Sequence, residues 1–176
     1  IGSMESDYHF HYFKDIGSVV DVFSNKELER LKGTAAIGQV RYPTIGGGER
    51  ADAQPFFSRR PGLLMAHNGN ITNYEQLKNI LFEKSVILSS NCDIEPVMYI
   101  VCDELMKRKE KRFTLDDAVA ALRSAYALVK GAYSVVFLMY LDGEPTMCLF
   151  RDPWGIRPAV WAEKDGTYLA ASESIC

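Results

Sequence analysis

The sequence contains no run of about eighteen uncharged apolar residues of the kind that crosses a bilayer. Its opening residues show neither the basic start nor the apolar stretch of a secretion signal. Lys and Arg are scattered among Asp and Glu at a net charge of −3, so no basic stripe is available to a phosphate backbone. Nucleic acid and membrane are therefore not expected partners. Cysteine is sparse: Cys92, Cys102, Cys148 and Cys176 lack the paired short gaps of zinc or iron–sulfur sites. They are expected to be reduced thiols of a cytoplasmic protein, mostly filling the core as small hydrophobes. Internal repeats, low-complexity tracts and Pro/Gly-rich linkers are also missing, and residues 1–176 are expected to form one domain.

What is present is an ordinary globular composition, 47% apolar and 24% charged over 176 residues, enough to bury a sizeable core. Alternating aromatic and polar groups predict a strand over 8–13, and β-branched residues extend this character over 18–23. Ser24 is positioned to cap a helix reaching Leu31, with Gly33 ending it. A strand is predicted over 35–42, stopped by Pro43 and followed by a glycine-rich loop at 46–48. A short strand over 62–66 is expected to turn at 67–70 into a helix opened by a capping box of Thr72 and Glu75. After a strand over 86–89, helices are predicted from Pro96 to Lys109 and, behind a Thr114/Asp117 box, from Leu115 until Gly131. The remainder is strand-rich, with Asp142-Gly143 and Asp165-Gly166 as two-residue hairpin turns. Helices covering antiparallel sheet give an α+β domain.

Three segments carry candidate chemistry. Arg41 ends a predicted strand before the glycine loop, where its guanidinium fork suits a carboxylate and the Thr44 hydroxyl adds a further donor; a surface ion pair is the alternative. His67-Asn68-Gly69-Asn70 offers an asparagine amide and backbone N–H groups, the donors of an oxyanion hole, each contributing about 3 to 4 kcal/mol to a tetrahedral transition state. A plain Asn-Gly turn is the competing reading there, with His67 a structural hydrogen-bonder. Asp93, just before a helix, is placed either to cap it or to receive a ligand ammonium, with Glu95 as its acidic neighbour. A carboxylate holder, an oxyanion hole and an ammonium holder together describe a pocket for an amino acid whose side-chain carbonyl is attacked.

The strings GQVRYPTIGGG, AHNGNITNYEQL and NCDIE resemble, in order and separation, the glutamine-site motifs of class II glutamine amidotransferases of the amidophosphoribosyltransferase type. VKGAYS, FRDPWGIRP and ASES resemble framework segments further along the same family, so the likeness spans nearly the whole chain. It implies an N-terminal-nucleophile hydrolase fold, a four-layer αββα sandwich with two antiparallel sheets between helices. It also implies the chemistry. An N-terminal cysteine attacks glutamine with its own amine as base, a thioester forms, and ammonia passes to phosphoribosyl pyrophosphate in a second, phosphoribosyltransferase domain of a homo-oligomeric enzyme of purine synthesis. Carried onto this chain, Asn68 and Gly69 stabilise the oxyanion, Arg41 and Asp93 hold the α-carboxylate and α-ammonium, and Thr44, Gly69 and the 46–48 loop complete the pocket. No cofactor or metal is implied for this domain, and Mg2+ is expected only in the second one.

The chain departs from that pattern at its start: residue 1 is Ile, no cysteine lies near it, and the family's opening Cys-Gly-Ile strand is unrecognisable, so the domain is expected to be truncated at its N-terminus. As it stands it is expected to be inactive. The reading left open is a catalytically degenerate domain that binds glutamine or supports assembly. Gln39 replaces the usual histidine and Cys92 the usual serine or threonine, which bears on how Arg41 and Asp93 are positioned. Asp152, Gly155, Arg157 and Pro158 are expected to shape a turn and not to touch substrate.

Overall fold

Two antiparallel sheets lie face to face, the first through its one apolar face and the second through one of its two buried faces. In the computed structural model, which describes residues 1–41, 48–108 and 112–175, β1 (Gly2–Met4), β2 (Phe10–Tyr12) and β3 (Ala35–Ile37) form the first sheet in the order β2-β1-β3. β4 (Phe56–Arg59), β5 (Gly62–Ile71), β6 (Gly131–Leu141) and β7 (Glu144–Arg151) form the second, in chain order. Met4 and Ile37 pack against Leu64, Ala66 and Leu138 between the sheets. Gly2 allows this approach, since a Cβ there would lie 2.9 Å from a Leu64 methyl.

The opposite face of the second sheet, through Leu63, Met65, Val135, Phe137 and Met139, joins a larger core with α3 (Tyr74–Glu83), α4 (Ile94–Met106) and α5 (Leu115–Leu128). Two short helices, α1 (Val19–Val22) and α2 (Asn25–Arg30), follow β2, and β8 (Val160–Lys164) pairs with β9 (Thr167–Ala171) as a hairpin. This is the expected α+β arrangement of antiparallel sheets and helices. No helix among the described residues is long and apolar enough to cross a membrane.

Local chemistry explains several of these boundaries. Ser24 and Thr114 each accept a hydrogen bond within a complete capping box, with Glu27 and Asp117 as the reciprocal partners. Asp142 and Asp165 adopt positive φ next to Gly143 and Gly166, the geometry of a two-residue hairpin turn.

Elsewhere the fold overrides the sequence pattern. Residues 19–22 close one helical turn and not a strand, helped by Ser18 bonding Asp21. β3 ends at Ile37, short of the predicted limit, and residues 86–89 find no strand partner among the described residues. Thr72 forms no capping box: its hydroxyl donates to the Lys130 carbonyl, fastening the start of α3 to the start of β6. The largest difference is in β5, which continues through 67–70 because β6 pairs with it from Leu63↔Met139 to Ile71↔Gly131. Thr44, residues 46 and 47 of the glycine loop, and Cys176 lie outside the described residues.

Candidate functional site

Since β5 is continuous, its two-residue period sends His67 and Asn68 to opposite faces. His67 follows Leu63 and Met65 toward the helices, whereas Asn68 follows Leu64 and Ala66 toward the space between the sheets. The helix-facing side is a polar network. Gln54, buried, accepts the His67 backbone N–H through Oε1 at 2.7 Å, and that bond fixes which way its amide points. Its Nε2 therefore donates to His67 Nδ1, 3.0 Å away. An Nδ1 that accepts must be unprotonated, so the neutral ring carries its proton on Nε2. Nε2 lies 3.3 Å from Asp93 Oδ1, off the line of a well-formed hydrogen bond.

Asp93 does not cap α4 with its side chain. Its Oδ2 reaches across to accept the Ile71 N–H at 2.7 Å. Burial opposes the charge, but the His67 ring and the Ile71 amide outweigh it and hold the carboxyl below its usual range. Anchoring of the segment before α4 falls to Glu95, whose two carboxylate oxygens accept N–H and hydroxyl bonds from Ser89 and Ser90 at 2.6 to 2.9 Å. Asp93 is thus an ionised carboxylate fixed by β5, with about a quarter of its side chain exposed.

Arg41 is held by an acid that the sequence pattern did not single out. Its Nη1 lies 3.3 Å from Asp52 Oδ2, and Asp52 is buried, with Oδ1 accepting the Asn91 N–H at 2.9 Å. One carboxylate therefore ties the guanidinium to the loop that carries Asp93, in place of the surface ion pair considered above. Gln39 and Cys92, the two departures noted in sequence, sit around this network. Cys92 is buried and receives a long contact from Gln54 Nε2 at 3.6 Å.

On the other face, Asn68 Nδ2 donates to Ser172 Oγ at 3.2 Å, a partner 104 residues away in the ASES segment. Ser134 stands opposite Asn68 in the ladder, and its buried Oγ has no hydrogen-bond partner among the described residues. Gly69 is required for a different reason from the expected turn. A Cβ there would sit 2.4 Å from the Ala132 carbonyl oxygen and 2.6 Å from Tyr133 Cα, because β6 presses directly against it. Gln54, Asp52, Ser172 and Ser134 were not found by sequence reasoning; the first three act through partners far apart in the chain, and Ser134 meets Asn68 only through the pairing of β5 with β6.

The described cysteines are unsuited to nucleophilic attack. Burial pushes the thiols of Cys92, Cys102 and Cys148 up to about 11, so they stay protonated near neutral pH. Asp152 shapes a turn, as expected: its carboxylate accepts backbone N–H bonds from Tyr133, Trp154, Ile156 and Arg157 at 3.0 to 3.3 Å.

Residues 44–176 match the family model described as a glutamine amidotransferase domain. The amidophosphoribosyltransferase of Escherichia coli (strain K12) is 37% identical over 180 residues, covering 98% of this chain and 35% of that protein. That of Schizosaccharomyces pombe is 38% identical over 168 residues, covering 92% and 31%. Among solved structures, the glutamine phosphoribosylpyrophosphate amidotransferase of B. subtilis, complexed with ADP and GMP, superposes with a TM-score of 0.76 at 30% identity over 99% of this chain. The chain spans about a third of the length of these relatives.

Proposed function

The chain belongs to the glutamine amidotransferase domain family, and from that premise we propose that it forms the glutamine-binding and oxyanion-stabilising part of a domain that hydrolyses the side-chain amide of glutamine. The observation that supports this most is the division of labour along β5. Asp93 is held ionised beside the strand while Asn68 presents an amide between the sheets.

In this reading Arg41, steadied by Asp52, binds the glutamine α-carboxylate, and Asp93 receives the α-ammonium. A carboxylate has about four acceptor sites, and the Ile71 N–H, the His67 contact and a long contact from Cys92 Sγ at 4.0 Å leave capacity for a further donor. Asn68 Nδ2 exchanges Ser172 for the developing oxyanion. The Gly69 N–H is its second donor, a role taken from the family resemblance, and Thr44 is assigned to the pocket on the same ground. The nucleophile is a cysteine outside these 176 residues, at a processed N-terminus whose amine takes up the thiol proton and returns it to the leaving ammonia. The thioester is then hydrolysed. In the whole protein, ammonia is passed to phosphoribosyl pyrophosphate in a second domain of a cytoplasmic, homo-oligomeric enzyme.

A second reading, a domain that binds glutamine without hydrolysing it, is favoured by one observation: no described cysteine has the reactivity the reaction needs. Intact mass spectrometry of the protein expressed from its whole gene, before and after a reactive glutamine analogue, separates the two. A single adduct mapped to an N-terminal cysteine is the expected result. Saturable glutamine binding with no adduct would establish the second reading.

A further inference from the structure

The opposite end of the second sheet carries a separate cavity of about 520 Å³. It opens where β5 begins at Gly62, six residues before Asn68, which at about 3.3 Å per residue puts it roughly 20 Å from the glutamine site. Its volume falls within the range of small-molecule sites. Tyr8, Phe10, Phe57, Phe113 and Tyr140 supply aromatic walls, and among the described lining residues Arg59 and Arg112 are the charged side chains and none is acidic. Both arginines are exposed, and neither forms an ion pair among the described residues.

The walls are built at a cost in backbone conformation. Tyr8 has a φ of +69°, a left-handed conformation that a bulky residue rarely adopts, and it lays the ring 4.4 Å from that of Tyr140. The Tyr140 hydroxyl donates to the Glu5 carbonyl, and Glu5 N–H bonds His9 O at 3.0 Å, which pins the loop bearing Tyr8. Phe10 packs 5.3 Å from Phe57 and enters over Gly62, where a Cβ would lie 2.8 Å from its ring. Arg112 and the Tyr8 hydroxyl both approach Gly143 in the β6–β7 turn, so cation and ring meet at one rim.

We infer that this cavity is a second ligand site, which takes a planar ring bearing a carboxylate or phosphate. The ring stacks among the five aromatic side chains, and the guanidinium groups of Arg59 and Arg112 receive the anion through paired N–H donors. A neutral ring forfeits the arginines and a bare anion forfeits the walls, so both parts are needed together.

The test is calorimetric titration of the protein expressed from its whole gene with 1-naphthyl phosphate and 2-naphthoate, against inorganic phosphate and 2-naphthalenemethanol. At least one naphthyl anion is expected to bind with a submillimolar Kd, and the two controls at least tenfold more weakly; which anion wins identifies the headgroup. R59Q/R112Q, altered only at exposed side chains, is expected to weaken that binding tenfold or more. Tyr8→Asn, which tolerates the left-handed backbone but removes the ring, is expected to weaken it severalfold. Glutamine binding should be unchanged in both variants. Naphthyl-anion affinity that is undetectable, equal to that of the neutral alcohol, or unaltered in R59Q/R112Q would overturn the assignment.

Discussion

The two faces of β5 differ in how completely their polar groups are enrolled. On the helix side, Gln54 makes three contacts, and His67 is held through its backbone N–H and Nδ1, which leaves Nε2, near Asp93, without a well-formed hydrogen bond. On the inter-sheet side, Asn68 makes one contact with Ser172, and the neighbouring Ser134 hydroxyl makes none among the described residues. A group already satisfied in the empty site gains little from a ligand, whereas a partly satisfied donor is available to the charge that develops in a transition state. Under the proposed function the helix face fixes position, and the inner face is left to do chemistry. A continuous strand serves both tasks because alternate residues never share a face.

Substitutions can break this contrast, and their expected costs in stability decline in a definite order. Gly69→Ala drives a methyl into the Ala132 carbonyl, where backbone and not a flexible side chain must yield. Denaturant unfolding should show a loss of roughly 3 kcal/mol or more, with the β5–β6 ladder disturbed. Gln54→Ala strands the buried His67 N–H and Nδ1 and should cost roughly 2–4 kcal/mol, seen as a melting temperature lower by about 5–10 °C.

Asp93→Asn should cost about 1 kcal/mol at neutral pH, since an amide oxygen still accepts the Ile71 N–H. Its signature lies in the pH profile. The carboxyl is held lower in the folded state than in the unfolded state, where it titrates near about 3.9, so its stabilisation is full above that pH and is lost as pH falls through the folded value. Wild type should therefore lose stability more steeply than Asp93→Asn below about pH 4 in acid titrations followed by circular dichroism. Asn68→Ala should be the mildest, within about 1 kcal/mol of wild type. If the two faces differ as described, that mild variant should still lower glutaminase turnover of the whole protein by about 10²–10³-fold.

The sequence made some of this legible and hid the rest for physical reasons. The cap at Ser24, the capping box at Thr114 and the hairpin turns at Asp142 and Asp165 depend on residues a few positions apart, and all appear in the structure as read, although the box expected at Thr72 does not form. The length of β5 depends on β6, more than sixty residues away, and that pairing overrides the local tendency of Asn-Gly to turn. Residues 86–89 fail in the opposite sense, with β-forming composition but no partner strand. In the site, Arg41, Asn68 and Asp93 stood out because each sits in a compact motif. Asp52, Gln54 and Ser172 did not: an acid that steadies an arginine, or a serine that shares an asparagine, has no spacing signature when its partner lies 11 to 104 residues away.

The most direct test of this division of labour is a crystal structure of the whole protein after reaction with a carbonyl-bearing glutamine analogue. The expected result is a covalent adduct lying between the sheets, its carbonyl oxygen within hydrogen-bonding distance of Asn68 Nδ2, its α-carboxylate at Arg41 and its α-ammonium at Asp93. His67 should be unmoved. An adduct whose carbonyl points toward the helix face, or whose ammonium is held away from Asp93, would contradict it.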